Sequence, residues 1–179
     1  MGWPAVSLTK GATRRRGLAG RLGDRCAAAL FGLILLVPFL LLALVRRATG
    51  KSVTERVLLR GSGGRPLIVR RIRGIRTAGF WATALAWYPA LGALAAGKLS
   101  LVGIYPFAET DWESLDPPYR ERPPEALVGI FGPWIGAGAE ASVLARWNQA
   151  YVDRWSPAED FRILLRAFLG IRRKSGGLR

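Results

Sequence analysis

Histidine is absent from the 179 residues of this chain, and cysteine occurs once, as Cys26. Without histidine the chain has no Ser-His or Cys-His nucleophile pair, no HExxH zinc protease motif and no zinc deaminase site of the usual kind. A single cysteine cannot form an internal disulfide or complete a cysteine-based metal site. These two scarcities exclude several large enzyme classes.

Acidic residues are scarce in the first half of the chain. Asp24 and Glu55 are the only ones before Glu109, whereas 23 arginines and four lysines give a formal net charge of +15. Half of the residues are hydrophobic. An apolar and strongly basic chain is unusual for a soluble protein, and a membrane with anionic head groups satisfies both properties. Nucleic acid also attracts basic chains, but the ten acidic residues between Glu109 and Asp160 argue against it as a partner.

The segment from Cys26 to Val45 is a long uncharged run made almost entirely of apolar residues. Its 20 residues are about the number (~20) that a helix needs to cross the hydrocarbon of a bilayer. It is longer than the apolar part of a signal peptide, and the residues RRATGKS that follow it form no cleavage site. We therefore predict a membrane-inserted helix over 26–45.

The orientation of this segment remains open, because basic residues flank it on both sides and the positive-inside rule favours neither. Pro38 predicts a bend that returns the segment to the face from which it entered. A straight spanning helix that tolerates the proline is the alternative. A second uncharged run, Thr77 to Gly97, predicts either a second span or an interfacial or buried helix.

Val53 to Leu59 and Pro66 to Ile72 predict the two strands of a hairpin around the turn Gly61 to Gly64. Its arms are rich in arginine. They form either a solvated or lipid-facing charged surface or a surface that receives phosphates. The stretch from Ala48 to Ser52 looks like the end of a P-loop, but Val45 stands where that motif needs its first glycine.

The rest of the chain predicts an acidic loop and two helices. Four prolines interrupt the loop, Glu109 to Glu125, whose carboxylates could hold magnesium or simply be solvated. Glu140 to Arg154 has helical spacing. Ser156 then caps a basic amphipathic helix, which contacts either the protein body or a membrane.

Three stretches resemble one family. The first combines a basic start, the proline-containing helix and the arginine-rich hairpin. The second is Tyr88 to Pro106, which contains Ser100-Leu101-Val102-Gly103. The third comprises Pro124 to Gly132 and Tyr151 to Leu165. Together they resemble the bacterial sugar transferase family, the monotopic phosphoglycosyl transferases that begin glycan assembly on polyprenyl phosphate.

The resemblance implies a mainly helical α+β fold with a re-entrant, or else spanning, hydrophobic helix, a small β-hairpin and amphipathic surface helices. It also implies transfer of a sugar phosphate from a nucleotide sugar to a lipid phosphate with Mg²⁺. In that family an aspartate attacks the diphosphate and a neighbouring glutamate assists with the metal or the proton. The corresponding positions here are Ala86 and Trp87.

Neither alanine nor tryptophan can attack phosphorus or bind a cation, and no carboxylate occurs between Arg56 and Ala108. Tyr105 also replaces an arginine of the family motif. Glu109 or Asp111 could supply a relocated site. Other family-motif positions are retained, and arginines suited to phosphate remain. They are Pro89, Ser100, Gly103 and Pro106 in the motif, and Arg56, Arg71 and Arg73 in the hairpin.

We therefore predict a sugar-transferase-like domain over 21–170 between a basic tail, 1–20, and a second basic tail, 171–179. Its expected place is the cytosolic face of a bacterial inner membrane. The expected partners are anionic lipid head groups, polyprenyl phosphate and glycan-assembly proteins, without nucleic acid.

The preferred function is an inactive scaffold or regulator of glycan or exopolysaccharide synthesis, with no catalytic residues, metal site or cofactor. The alternatives are an active transferase that uses Mg²⁺ at a relocated site, and a two-span membrane protein unrelated to glycans.

Overall fold

The structure, a computed structural model, describes residues 18–75, 79–135 and 140–171, with side chains from Leu22 onward. The predicted basic tails fall almost entirely outside these ranges. Within them the fold is α+β and mostly helical, as predicted, with one long apolar helix followed by a hairpin and short elements.

The first helix, α1, runs from Leu18 to Ala48 and includes the predicted membrane segment. Its 31 residues correspond to a length of about 46 Å. The helix continues through Pro38, so the predicted bend does not divide it. A proline removes one hydrogen bond of the helix, and packing against the body on both sides of Pro38, at Leu35 and Phe39, holds the helix together.

The predicted hairpin is present, with β1 at Thr54–Arg60 and β2 at Pro66–Ile72. A short 3-10 helix, Ser62–Gly64, forms its turn, where two glycines have positive φ angles. The short strand β4, Phe107–Ala108, pairs with the other edge of β1, so the antiparallel sheet has the order β2-β1-β4.

The run from Thr77 to Gly97 is not a second membrane span in its described part, 79–97. It is divided into α2 (Phe80–Ala86), a 3-10 helix (Tyr88–Ala90) and α3 (Leu91–Ala95). Pro89 lies in the middle piece and lacks the N–H that a continuous helix requires. Among the described residues, α1 is the one helix long and apolar enough to cross a membrane.

The carboxyl-terminal half adds a parallel strand pair and four helices. The acidic stretch forms two single-turn helices where a loop was expected, and Pro117 begins the second of them. The two predicted longer helices are confirmed, and the Ser156 hydroxyl accepts a hydrogen bond from the Glu159 N–H at 3.1 Å. These elements are β3 (Ser100–Val102), α4 (Glu109–Glu113), α5 (Pro117–Glu121), β5 (Gly129–Phe131), α6 (Ala141–Asp153) and α7 (Pro157–Phe168).

The main hydrophobic core lies around the β3–β5 pair, where Leu94, Leu99 and Phe131 are fully buried. A second, aromatic cluster lies around Phe107 and Trp147 on α6. Asn148 of α6 ties this cluster to the loop after β3. Its side-chain oxygen accepts from the Tyr105 N–H at 2.7 Å, and its amide donates to the Tyr105 carbonyl and to the Tyr119 hydroxyl.

Gly103 directly follows β3, where the backbone lies very close to that of Gly129 in β5. A Cβ atom at this position would overlap the Leu127 carbonyl oxygen and lie 2.7 Å from the Gly129 nitrogen. The retained glycine of the family-like motif is thus explained by backbone packing.

We expect Gly103→Ala to lower the free energy of unfolding by roughly 3 kcal/mol, because the two backbones must separate. Gly92→Ala is the matched control. It lies in α3 with no atom within 4 Å of its added methyl group, and alanine favours the helix. Thermal unfolding followed by circular dichroism in one detergent measures both variants. Equal stability of the two would contradict the packing explanation.

Candidate functional site

Helix α1 packs on the body along one stripe and exposes the rest of its apolar surface. Asp24, Ala28 and Leu35 are buried, and Phe31 and Phe39 are half-buried. Steps of three and four residues place all five on one face. The exposed apolar residues are Leu22, Leu30, Leu33, Ile34, Leu36, Val37, Leu40, Leu41, Leu44 and Val45.

Asp24 attaches the amino-terminal part of α1 to the motif after α3. Its carboxylate accepts a hydrogen bond from the Leu101 N–H at 2.9 Å and lies 3.4 Å from the Ser100 hydroxyl. Asp24 is 5% exposed and Ser100 is fully buried. A buried carboxylate needs such donors, so this contact fixes the position of α1 relative to β3.

Aromatic contacts continue along the same stripe. Phe31 lies 5.7 Å from Phe80 of α2, ring centre to ring centre. About two turns further along, Phe39 stacks on Tyr88 at 4.5 Å, and the Tyr88 hydroxyl donates to the Gly32 carbonyl oxygen at 3.2 Å. Aromatic pairs of this kind add stability beyond the area that they bury.

Contacts between α1 and the residues that follow it therefore recur from Asp24 to Arg46, whose guanidinium donates to the Ser52 carbonyl. A helix that crossed a bilayer alone would need about 30 Å without such contacts. If α1 crossed the bilayer upright, the parts of the body beside it would also enter the hydrocarbon. The structure therefore has α1 lying against the body with its outer apolar face exposed.

A second exposed apolar surface adjoins α1. Phe80 touches Phe31 on one side and Phe168 of α7 on the other, and Trp81, half-exposed, lies 6.2 Å from Phe168. Helix α7 packs with Ile163, Ala167 and the partly buried Leu164. Its exposed large apolar residues are Phe161, Leu165 and Phe168, and Leu169 follows them directly after the helix.

The two positions of the family's acid pair lie in the main core. Ala86 ends α2 and is 1% exposed, and Trp87 follows it with 5% exposure. Both belong to the main hydrophobic cluster. A carboxylate at either position would lose its water without gaining a partner, so apolar packing occupies the place of the expected nucleophile.

The retained motif residues have structural positions. Pro89 lies in the 3-10 helix, half-buried, and Ser100 contacts Asp24. Gly103 allows the close strand pair, and Pro106 is buried before β4. All four support the packing of the body.

The three hairpin arginines do not form one site. Arg71 and Arg73 both lie near Glu55. The Glu55 carboxylate accepts a hydrogen bond from the Arg71 Nε at 2.7 Å and lies 4.0 Å from the Arg73 Nε. Arg56 pairs across the strands with Arg70 and points to the other, exposed face. The prediction that each binds phosphate stays a prediction.

A basic site forms at the base of the hairpin, where α1 ends. Arg46, Gly50, Lys51, Ser52 and Arg73 line an open cavity of about 530 Å³. Gly50, with a φ angle of 68°, ends the helix, and the Lys51 N–H donates back to the Arg46 carbonyl at 2.8 Å. This glycine-terminated end, a Schellman motif, brings Lys51 beside Arg46.

The acidic stretch is held by ion pairing. Arg60 of β1 donates from its Nε to Glu109 at 2.8 Å, and the Arg60 side chain lowers the pKa of the Glu109 carboxyl by this hydrogen bond. Within the described ranges, no group of three acids, cysteines or histidines is arranged to hold a metal. Glu109 therefore acts as a bridge between β1 and α4.

Two partly buried tyrosines belong to this region, Tyr105 before the acidic stretch and Tyr119 within it. Burial raises the pKa of Tyr105, with a further contribution from the charge of Asp111, while Arg71 opposes the shift. Burial raises the pKa of Tyr119 to about 12, opposed by its hydrogen bond with Asn148. Both phenols therefore stay neutral at ordinary pH.

Comparison with known proteins assigns no family. No family model matches the chain, and no curated protein matches its sequence. The resemblance to the sugar transferases therefore depends on the motifs quoted above.

The sequence did not single out the cluster of Arg46, Lys51 and Ser52. A signal was present, since a basic pair at the end of an apolar helix followed by glycine predicts a helix end that folds Lys51 back. Arg73 lies 22 residues after Lys51 in the sequence, and only the pairing register of the hairpin brings the two residues to the same site. The contact of Asp24 with Ser100 likewise had no local signal.

We expect Asp24→Ala to lower the free energy of unfolding by about 2 kcal/mol, because it leaves the Leu101 N–H and the Ser100 hydroxyl without their acceptor. Asp24→Asn is the control, since it keeps one acceptor oxygen in the same place and should lose less. Thermal unfolding in one detergent compares the two. Wild-type stability of the alanine variant would show that Asp24 does not fasten α1.

Proposed function

We propose that this chain is a membrane-surface protein with a sugar-transferase-like body and no transferase chemistry, acting as a scaffold or regulator in bacterial glycan or exopolysaccharide synthesis. Its place is the cytosolic face of the inner membrane. Its partners are anionic lipids, polyprenyl phosphate and glycan-assembly proteins. It needs no cofactor. The observation that carries the proposal is the burial of Ala86 and Trp87 in apolar packing.

The membrane part of the proposal is supported by the outer face of α1. Ten large apolar side chains lie exposed there, between Leu22 and Val45, and burying them would release roughly 0.8 kcal/mol for each CH₂ group. The adjoining face of α7 contributes Phe168 beside Trp81. Two apolar helical faces that meet at one edge fit a membrane better than they fit water.

Because Ala86 and Trp87 are packed in the core, we predict that acidic residues introduced at these two positions do not restore transferase activity. Ala86→Asp with Trp87→Glu should produce no transfer of sugar phosphate. It should also lower the free energy of unfolding by several kcal/mol, because both carboxylates would be buried in apolar packing. Purified protein, radiolabelled nucleotide sugars, magnesium and undecaprenyl phosphate provide the assay. A stable and active double variant would contradict the proposal.

The same assay on the wild-type chain tests a relocated site. The double variant Glu109→Gln with Asp111→Asn removes the two acids that could replace the missing pair. If wild-type protein transfers label to lipid and this variant does not, the chain is an active enzyme and the scaffold proposal fails. Transfer by both to the same extent identifies a contaminating transferase.

The one-sided membrane arrangement predicts that the tail before α1 and the hairpin lie on the same side. In a Cys26→Ser background, Ser7→Cys and Ser62→Cys provide single thiols in these two regions. A membrane-impermeant maleimide should label both in inside-out vesicles and neither in right-side-out vesicles. Labelling of the two positions in opposite preparations would establish a straight span instead.

The scaffold role predicts complexes with glycan-assembly proteins. Gentle detergent extraction of native membranes, followed by purification of the tagged chain, should co-purify such proteins. The Asp24→Ala variant, with α1 loosened from the body, should retain fewer of them. Recovery of the chain without glycan-assembly proteins would contradict this part of the proposal.

A further inference from the structure

The basic site at the end of α1 has a composition suited to binding an anion. Three residues with cationic side chains, Arg46, Lys51 and Arg73, line the cavity together with Ser52. Among the described residues, no carboxylate lies within ion-pair distance of Arg46 or Lys51. Glu55, the nearest acid to Arg73 at 4.0 Å, is already held by Arg71 at 2.7 Å.

Several contacts organise this site. The Arg46 guanidinium donates to the Ser52 carbonyl at 3.3 Å, and the Arg73 guanidinium lies 3.5 Å from the Ser52 hydroxyl oxygen. The backbone hydrogen bond from Lys51 to Arg46 fixes the turn between them. Like charges held together by the fold repel each other until an anion neutralises them, so an anion bound here gains energy without rearranging the backbone.

The end of a helix usually disfavours anions, because its carbonyl groups carry partial negative charge. Here two of these carbonyls, those of Arg46 and Arg47, accept hydrogen bonds from Lys51 and Gly50. The last turn also contains the side chains of Arg46 and Arg47. The positive charge of these side chains therefore exceeds the partial negative charge of the helix carbonyls.

The depth of the site indicates where the anion comes from. Leu44 and Val45, immediately before Arg46, are exposed and belong to the lipid-facing surface of α1. The boundary between hydrocarbon and head groups must then lie near Arg46, because basic residues at the end of an apolar helix lie at the level of the lipid phosphates. The cavity opens at that boundary.

We propose that the cavity lined by Arg46, Lys51, Ser52 and Arg73 binds the phosphate group of an anionic lipid. Guanidinium and ammonium groups donate to phosphate oxygens through short, charge-assisted hydrogen bonds. The site thereby locks the end of α1 to the membrane surface. This inference rests on the membrane part of the proposed function and does not depend on a role in glycan synthesis.

Binding of a fluorescent short-chain phosphatidic acid to the full-length chain in neutral detergent, measured by fluorescence anisotropy, tests the site. Lys51→Gln with Arg73→Gln should weaken binding about 25-fold, since each basic residue near an anionic surface contributes about fivefold. The control is Arg120→Gln with Arg122→Gln, which removes the same charge from two exposed residues of the acidic stretch. It should change binding less than twofold.

Two further probes identify the source of the phosphate. The matching fluorescent diacylglycerol, which lacks phosphate, should not distinguish the two double variants. Inorganic pyrophosphate should compete weakly with phosphatidic acid, and if it binds more tightly than the lipid, the ligand is a soluble phosphate and the lipid assignment is wrong. Equal affinity of both double variants for phosphatidic acid would overturn the site.

This outcome is separable from that of the proposed function. A chain that fractionates with membranes but shows no dependence on Lys51 and Arg73 disproves the site and leaves the membrane-surface role intact. A chain that is not recovered with membranes disproves the role itself.

Discussion

The attachment of α1 to the body is the constraint on which the rest of the structure depends. Asp24 fixes one part of the helix to the Leu101 N–H, and the contacts of Phe31 and Phe39 continue the attachment along the same stripe. Because this stripe is packed, the remaining surface of α1 has a fixed direction, and between Cys26 and Val45 it contains no charged residue. The same attachment places Arg46 at the base of the hairpin, where the basic site forms.

Much of the fold could be predicted from local patterns. The apolar run, the alternation around the Gly61 to Gly64 turn and the cap at Ser156 each depend on neighbouring residues, and each appears in the structure. The hairpin and the cap lie within about a residue of their predicted bounds, whereas the helix that contains the apolar run begins eight residues earlier, at Leu18. The effect of Pro38 could not be predicted in this way. Whether one proline divides a helix depends on what packs on both sides of it, and those partners are distant in sequence.

The candidate site was predictable only in part. Ala86 and Trp87 exclude the expected chemistry by residue type alone, but their burial required the fold. The arginine-rich hairpin was evident, whereas the separation of Arg56 from Arg71 follows from strand register, which places them on opposite faces. The pairing of Glu55 with Arg71 then decides which cations remain available for an anion, and Lys51 and Arg46 are among them.

The central claim is that α1 lies with one face on the body and the other in lipid, and site-directed spin labelling measures this directly. Nitroxides would be placed singly from 27 to 45, in a Cys26→Ser background, on the chain reconstituted in vesicles. The account predicts high accessibility to oxygen and low accessibility to a water-soluble nickel complex at positions such as Leu33, Val37 and Leu40. It also predicts minima in oxygen accessibility at Ala28, Phe31, Leu35 and Phe39, a period of about 3.6 residues. Uniformly high oxygen accessibility would show that lipid surrounds the helix on all sides. High accessibility to the nickel complex would show that the helix lies in water. Either result would contradict the account.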